Sequence, residues 1–156
     1  MTTRQDAPAW YRHALDVPHG DSTVDVDGAA IHYLTWGEPG RPGLVFVHGG
    51  AAHAHWWTHV AAQFAGVYRV AAIDLSGHGD SGRRDYYSLA TWCEEVVTVA
   101  EDADMAGPPI VIGHSMGGFV ALATGQVHMS MHGSRSLTPA QAQQAKHAFP
   151  DKIILN

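Results

Sequence analysis

Hydrophobic and polar residues alternate twice near the start of the chain, on either side of a tight-turn signal. Val24 and Val26 alternate with polar residues before Asp27-Gly28, and a second period-2 run occupies residues 31–35. Asp and Gly accept the positive φ angles of a two-residue turn, so this pattern predicts a β-hairpin. The residues before it, 1–20, show no sustained periodicity and are predicted to be a polar lead-in.

Three short, unbroken apolar runs follow, at residues 44–47, 70–75 and 110–112. Continuous hydrophobicity is typical of strands that are covered on both faces, as in a parallel sheet. Helical spacing at 55–64, 88–105 and 116–124 predicts the connecting helices. The predicted fold class is therefore α/β, with a mostly parallel sheet of about five or six strands that is flanked by helices and starts with the hairpin.

The pattern changes after Gly125. Residues 126–136 show no period, Thr138-Pro139 predicts a helix start, and residues 153–155 could form one more short strand. The predicted organisation is a polar lead-in at 1–20, an α/β region at 21–125 and a divergent tail at 126–156.

Composition narrows the possible partners and compartment. The 156 residues carry 9 Lys plus Arg against 15 Asp plus Glu, a formal charge of −6, which argues against a nucleic-acid partner. No apolar run approaches the length of a membrane helix, so no membrane partner is expected. The lone Cys93 favours a reducing, cytoplasmic location and a role as a small buried hydrophobe.

The strongest chemical signal is the pentapeptide at residues 113–117, Gly-His-Ser-Met-Gly, followed by Gly118. It lies where a predicted buried strand passes into a predicted helix. A serine on such a sharp turn is lifted above the sheet edge, and the small residues let strand and helix approach closely. The alternative is a glycine-rich turn that exists only for packing.

Two further loops follow predicted strands. His48-Gly49-Gly50 could offer the N–H of Gly50 to an oxyanion, together with the N–H of Met116. Taken alone, it could also be an ordinary turn. The loop at 74–81 is predicted to border the same face, with Asp74 held by local backbone hydrogen bonds.

These three segments, in this order and spacing, resemble the α/β-hydrolase family, specifically its small, soluble, esterase-like members with a serine nucleophile. The resemblance covers residues 21–125. It implies that Ser115 is the nucleophile, that the backbone N–H groups of Gly50 and Met116 form the oxyanion hole, and that His114 and Gly49 line the substrate site. It also implies a small ester-like substrate and no metal or organic cofactor. A serine at this position argues against the haloalkane dehalogenases and common epoxide hydrolases, which use aspartate there.

The family orders its triad as Ser, then Asp or Glu, then His. Asp151 is the only acidic residue after Ser115, and no histidine follows Asp151. Of the histidines that do follow the serine, His128 and His132 lie in an irregular segment and His147 on a predicted helix. No triad acid or histidine is identified, so we expect an incomplete fold with a truncated or altered C-terminal half. An insertion, an altered reading frame and a truncated gene product all remain open.

Loss of the triad histidine costs about 10⁶ in kcat in a related serine hydrolase, so little or no turnover is expected. The alternative function is a catalytically inactive hydrolase remnant that binds a ligand or a partner protein. A chain with about five or six strands also leaves an unpaired apolar sheet edge, which predicts self-association.

Three other groups have simpler interpretations. His55 and His59 are one helical turn apart, and His53 forms an H-x-H start with His55. Trp57 and Thr58 fill the places where a zinc hydrolase needs a third ligand, so ordinary histidines are expected and metal binding is not. Trp56 and Trp57 are predicted to line the core or a pocket. The acidic residues of the long helix are predicted to form a solvated face; they are Glu94, Glu95, Glu101 and Asp102.

Overall fold

The computed structural model describes the backbone of residues 6–131 and the side chains of residues 6–125. The helices and strands are, in chain order, α1 (Ala9–Asp16), β1 (Gly20–Val26), β2 (Ala29–Trp36), β3 (Pro42–Val47), α2 (Thr58–Ala61), β4 (Arg69–Ile73), α3 (Leu89–Asp102), β5 (Ala106–Gly113) and α4 (Met116–Met131). Two short 3₁₀ turns, Ala54–Trp57 and Ala62–Phe64, flank α2. The helix predicted from residue 138 and the strand predicted at 153–155 lie outside the described residues.

The strands form one five-stranded sheet in the order β1-β2-β4-β3-β5. β2 runs antiparallel to both of its neighbours, whereas β3 pairs in parallel with β4 and β5. Four strands therefore point in one direction and only β2 is reversed. This confirms the prediction of a mostly parallel α/β sheet.

Each face of the sheet carries its own hydrophobic core. Val45 and Val47 of β3 pack towards α3 and α4, together with Val96 and Val99. The alternate residues of β3, Leu44 and Phe46, pack on the other face against α1 and α2, in a cluster that includes Ala14, Ala61 and Ala62. Because side chains of a strand point alternately to opposite faces, one continuous apolar run supplies both cores.

The predicted hairpin is present. Val26 pairs with Ala29, and the two residues between them, Asp27 and Gly28, have φ angles of 47° and 77°. The Asp25 carboxylate accepts the N–H of Gly28 at 3.1 Å, which holds the turn. Positive φ at both central positions is the geometry of the hairpin turn that Asp-Gly favours.

Several element boundaries differ from the pattern. The lead-in contains α1, and α4 continues past Gly125 to Met131. The predicted helix at 55–64 is broken into two 3₁₀ turns around a single α-helical turn. β5 begins at Ala106 and includes Pro108 and Pro109. Proline lacks an N–H and is tolerated there because β5 pairs with β3 alone among the described residues.

The expectation of a solvated acidic face is wrong for Glu95. Glu94, Glu101 and Asp102 are exposed, but Glu95 has no exposed surface. Its carboxylate pairs with Arg84 Nε at 3.0 Å and accepts the N–H of Ser76 at 2.9 Å. Arg84 lies in the loop before α3 and also reaches the carbonyl oxygen of Val26. Glu95 thus fastens the long loop after β4 to α3 and to the hairpin.

None of the helices in the described part of the chain has the length and hydropathy needed to cross a bilayer.

Replacement of Glu95 by alanine is expected to lower the free energy of unfolding by about 3–5 kcal/mol, because it removes the carboxylate that pairs with the largely buried Arg84 and accepts the Ser76 N–H. The neighbouring exposed Glu94→Ala is the matched control, with an expected change within about 0.5 kcal/mol. Urea denaturation of both variants measures the difference. Equal losses in the two variants would contradict the structural role of Glu95.

Candidate active site

Three strand ends meet at one edge of the sheet. Val47 of β3 pairs with Ile73 of β4 on one side and with Gly113 of β5 on the other. Because the three strands are parallel and in register, the residues that follow them emerge side by side. The loops that start at His48, Asp74 and His114 therefore border one surface, as the sequence predicts.

Ser115 occupies a sharp turn between β5 and α4. Its φ angle is 53°, in the left-handed region that non-glycine residues rarely adopt, and its side chain is exposed. The turn is closed by backbone hydrogen bonds from Gly117 N–H to the His114 carbonyl and from Gly118 N–H to the Ser115 carbonyl, each 2.9 Å long. Strain at a single exposed serine on a closed turn is the geometry of a nucleophile elbow.

The two glycines of the pentapeptide are required by close backbone contacts. A Cβ at Gly113 would collide with the carbonyl oxygen of Gly117, and a Cβ at Gly117 would collide with the carbonyl oxygens of Val47 and His48. α4 thus starts in direct contact with the backbone at the end of β3. The small residues thus let strand and helix approach closely, as the sequence predicts, and these contacts explain how the serine turn is held.

The loop after β3 lies against this elbow. A Cβ built on Gly49 would be 3.3 Å from Ser115 Cβ and 2.9 Å from His114 Nδ1, whereas one built on Gly50 meets nothing within 4 Å. Gly50, the next residue of the loop, therefore borders open space. Among the described residues, the N–H groups of Gly50 and Met116 donate no hydrogen bond, so both remain available to a bound oxygen atom.

His114 and Trp56 form one wall next to Ser115. Their rings are 4.7 Å apart at an interplanar angle of 65°. His114 is half-buried, and its Nδ1 has no hydrogen-bond partner within the described residues. Trp56 leaves 45% of its surface exposed, whereas Trp57 turns inward and packs on Phe46 at 4.9 Å. Of the two predicted tryptophans, one lies beside the candidate site and the other in the core.

The loop after β4 is built around a buried carboxylate. Asp74 Oδ1 accepts the N–H of Ala54 at 2.5 Å, and Oδ2 accepts the N–H of Asp80 at 3.0 Å. These bonds agree with a structural role for Asp74. His32 Nδ1 also contacts Asp74 Oδ2, at 2.8 Å, and this contact could not be seen in the sequence.

His48 is fully buried and its hydrogen bonds fix its tautomer. Nδ1 donates to the carbonyl oxygen of Gly49 at 2.7 Å, and Nε2 accepts the N–H of Leu75 at 3.1 Å. The ring is therefore neutral, and it joins the loop after β3 to the loop after β4. Burial lowers the pKa of His48 below its ordinary value of 6.5, and the nearby His78 lowers it further.

No candidate base reaches Ser115 within the described side chains, where the serine hydroxyl makes no hydrogen bond. His128 lies in α4, but its side chain is not described. The other downstream candidates, His132, His147 and Asp151, lie outside the described residues. The triad prediction from the sequence therefore stays a prediction.

The histidines near α2 do not converge on one point. The ring of His59 packs against Tyr11 at 5.3 Å, while His53 lies 5.9 Å from His55. Within the described residues, the one group of potential ligands whose donor atoms lie within 4.8 Å is His32, Asp74 and Asp80. Both oxygens of Asp74 already accept hydrogen bonds, so this group has a structural explanation.

Comparison with known proteins is decisive for the family. The sequence model described as "Alpha/beta hydrolase family" matches residues 44–153, more than half of the chain. The chain belongs to the α/β-hydrolase family. The match begins at the apolar run of β3 and includes the serine turn.

Individual α/β-hydrolases of several kinds are similar to the chain. Epoxide hydrolase 4 of Mus musculus is 30% identical over 97 residues, which are 60% of this chain and 27% of that protein. Monoacylglycerol lipase of Mycolicibacterium smegmatis is 37% identical over 112 residues, 67% of this chain and 40% of the lipase. Among solved structures, the thioesterase domain from the curacin biosynthetic pathway superposes with a TM-score of 0.65 and 30% identity, and the match covers 72% of this chain and 41% of that one. The chain thus spans less than half the length of these α/β-hydrolases.

Acidification is expected to weaken the fold through His48. Its pKa is lower in the folded chain than in the unfolded chain, so the unfolded chain binds more protons as the pH falls. The stability contributed by neutral His48 is complete above pH 6.5 and is lost progressively below it. Denaturation titrations at several pH values below 6.5 measure how steeply the free energy of unfolding falls with pH. His48→Gln should make this pH dependence weaker, whereas His13→Ala, at an exposed histidine of α1, should leave it unchanged. An unchanged pH dependence in His48→Gln would show that His48 is not its source.

Proposed function

We propose that the protein is a serine hydrolase of the α/β-hydrolase family that acts on small esters or related acyl compounds. Ser115 is the nucleophile, and the backbone N–H groups of Gly50 and Met116 bind the oxyanion. The observation that carries the proposal is the exposed Ser115 at a φ of 53°, on a turn packed against Gly49 at the carboxyl edge of the sheet.

The two N–H groups suit an oxyanion because they come from elements that are already held together. Gly117 packs against the backbone of Val47 and His48, so the start of α4 is in direct contact with the end of β3, where the loop that carries Gly50 begins. Donors that are fixed before the reaction need no reorganisation as negative charge develops on the tetrahedral intermediate. His114 and Gly49 border the serine and would contact a bound substrate.

An acyl substrate is favoured over an epoxide. The similar proteins include an epoxide hydrolase, a monoacylglycerol lipase and a thioesterase domain, so likeness alone does not choose among them. A serine hydroxyl forms an acyl-enzyme with an ester or a thioester, whereas common epoxide hydrolases place aspartate at this turn. Ser115 therefore supports the acyl class.

Turnover by the chain of 156 residues is proposed to be low, because no described side chain is in a position to act as the base that removes the proton of Ser115. An oxyanion hole and a binding site alone still give a rate enhancement of roughly 10³–10⁴ over the reaction in water. The second candidate function is an inactive remnant that binds a ligand or a partner protein. The absence of an assigned base favours it, and the intact elbow argues against it.

A fluorophosphonate probe tests the nucleophile directly. We expect slow labelling that maps to Ser115, is lost in Ser115→Ala and persists in Ser22→Ala, where the serine lies on β1 at the far edge of the sheet. Added imidazole should raise the rate, since it supplies a base in solution.

Two outcomes would contradict parts of this proposal. No labelling of folded protein, with or without imidazole, would favour the binding remnant. Rapid p-nitrophenyl acetate hydrolysis that disappears in Ser115→Ala would show instead that the chain already contains an effective base.

We also propose that the protein self-associates through the β5 edge. β5 pairs only with β3 among the described strands, and exposed apolar residues occur in β5 itself, Ile110 at 43%, and in the adjoining α4, Phe119 at 69%. Sedimentation velocity over a range of concentrations should show oligomers that Phe119→Lys reduces. Val67→Lys, at an equally exposed apolar residue elsewhere, should leave them unchanged, and a monomer at all concentrations would contradict the proposal.

A further inference from the structure

A buried histidine in β2 is linked to the oxyanion-hole loop through Asp74. His32 Nδ1 lies 2.8 Å from Asp74 Oδ2, and the other carboxylate oxygen, Oδ1, accepts the N–H of Ala54 at 2.5 Å. Ala54 is fully buried and ends the loop that begins at His48 and carries Gly50. A single carboxylate therefore connects the centre of the sheet to the loop that borders Ser115.

Three further bonds hold His32 and Asp74 in this relation. Asp74 N–H donates to the His32 carbonyl at 2.9 Å, His32 N–H donates to Ser81 Oγ at 2.8 Å, and that hydroxyl donates to the Asp74 carbonyl at 2.5 Å. A Cβ at Gly79 would collide with the Asp74 carboxylate, so the loop closes directly over it. The backbone positions are thus fixed, and the ring contact orients the carboxylate together with the N–H groups of Ala54 and Asp80.

His32 has a second carboxylate on its other side. Its Nε2 lies 3.2 Å from Asp21 Oδ1, and the Asp21 side chain is largely exposed on β1. Of the two ring contacts, only the one with Asp74 is linked by hydrogen bonds to Ala54. This asymmetry allows the two contacts to be separated by experiment.

The geometry points to His32 as a positioning residue for the oxyanion hole, acting through Asp74 on the Ala54 N–H. This inference rests on the proposed function, in which Gly50 belongs to that hole. Without a donor at Nδ1, the Asp74 carboxylate is a buried anion with one partner fewer. Its orientation is then less firmly held, and the bond to Ala54 N–H weakens. The segment from His48 to Ala54 opens more often as a local event.

Two amide substitutions at His32 distinguish its two contacts. His32→Asn keeps an N–H₂ donor close to the position of Nδ1 and loses the contact with Asp21. His32→Gln reaches the position of Nε2 and loses the donor to Asp74. Both variants introduce a side-chain amide at position 32, so each is a control for the other.

Amide hydrogen exchange read by mass spectrometry tests the inference on the whole chain. In His32→Gln, we expect the peptide that covers residues 48–54 to lose about tenfold to a hundredfold in protection, while α3 keeps the wild-type rate. In His32→Asn, both regions should resemble the wild type. An equal rise in both regions would indicate general destabilisation, and no change in His32→Gln would show that the ring does not hold the loop. Either result overturns the inference.

Labelling of Ser115 by the fluorophosphonate provides a second readout. His32→Gln should slow it, and His32→Asn should not. Exchange does not depend on the reaction of Ser115, so it can be repeated in the Ser115→Ala background. If wild-type labelling fails while the exchange pattern holds, the proposed function is wrong and the role of His32 in holding the loop stands. If labelling succeeds and the exchange pattern fails, the proposed function stands and the role of His32 in holding the loop is wrong.

Discussion

The contact between the backbone at the start of α4 and the backbone at the end of β3 is the constraint on which the site depends. Gly117 fits against the carbonyl oxygens of Val47 and His48 only because it has no side chain. This contact fixes the direction in which α4 leaves the sheet, and so forces Ser115 into its strained conformation. It also places the loop after β3 next to the serine. The proposed nucleophile and oxyanion donors are therefore positioned by one steric requirement.

Buried polar groups extend this constraint outwards from the sheet edge. His48 joins the loops after β3 and β4, Asp74 joins the loop after β3 to the centre of the sheet, and Glu95 joins the loop after β4 to α3. Every one of these side chains accepts at least one backbone N–H that would otherwise be buried without a partner. An unpaired buried N–H is costly, so the loops around the candidate site are held in place although they lack regular structure.

Local signals in the sequence were sufficient for most of the fold. Asp27-Gly28 predicted the hairpin because only a few residue types accept two consecutive positive φ angles, and the apolar runs predicted the parallel strands because both faces are covered. The serine turn was predicted because Gly113 and Gly117 flank Ser115 at a fixed spacing, between a predicted strand and a predicted helix. In contrast, α1 was missed because it is only eight residues long and Ala14 is its one buried residue. The contacts of Glu95 and His32 were missed because their partners, Arg84 and Asp74, are distant in the chain.

The division of the interior into two cores has a consequence for sequence variation. Leu44 and Phe46 serve one core while Val45 and Val47 serve the other. Insertion or deletion of a single residue within β3 would exchange these sets, sending each side chain into a cavity shaped for another, and it would also shift the loop that carries Gly50 relative to the serine. Homologous chains should therefore tolerate length changes in the connections, such as residues 37–41, and reject them inside the central strands.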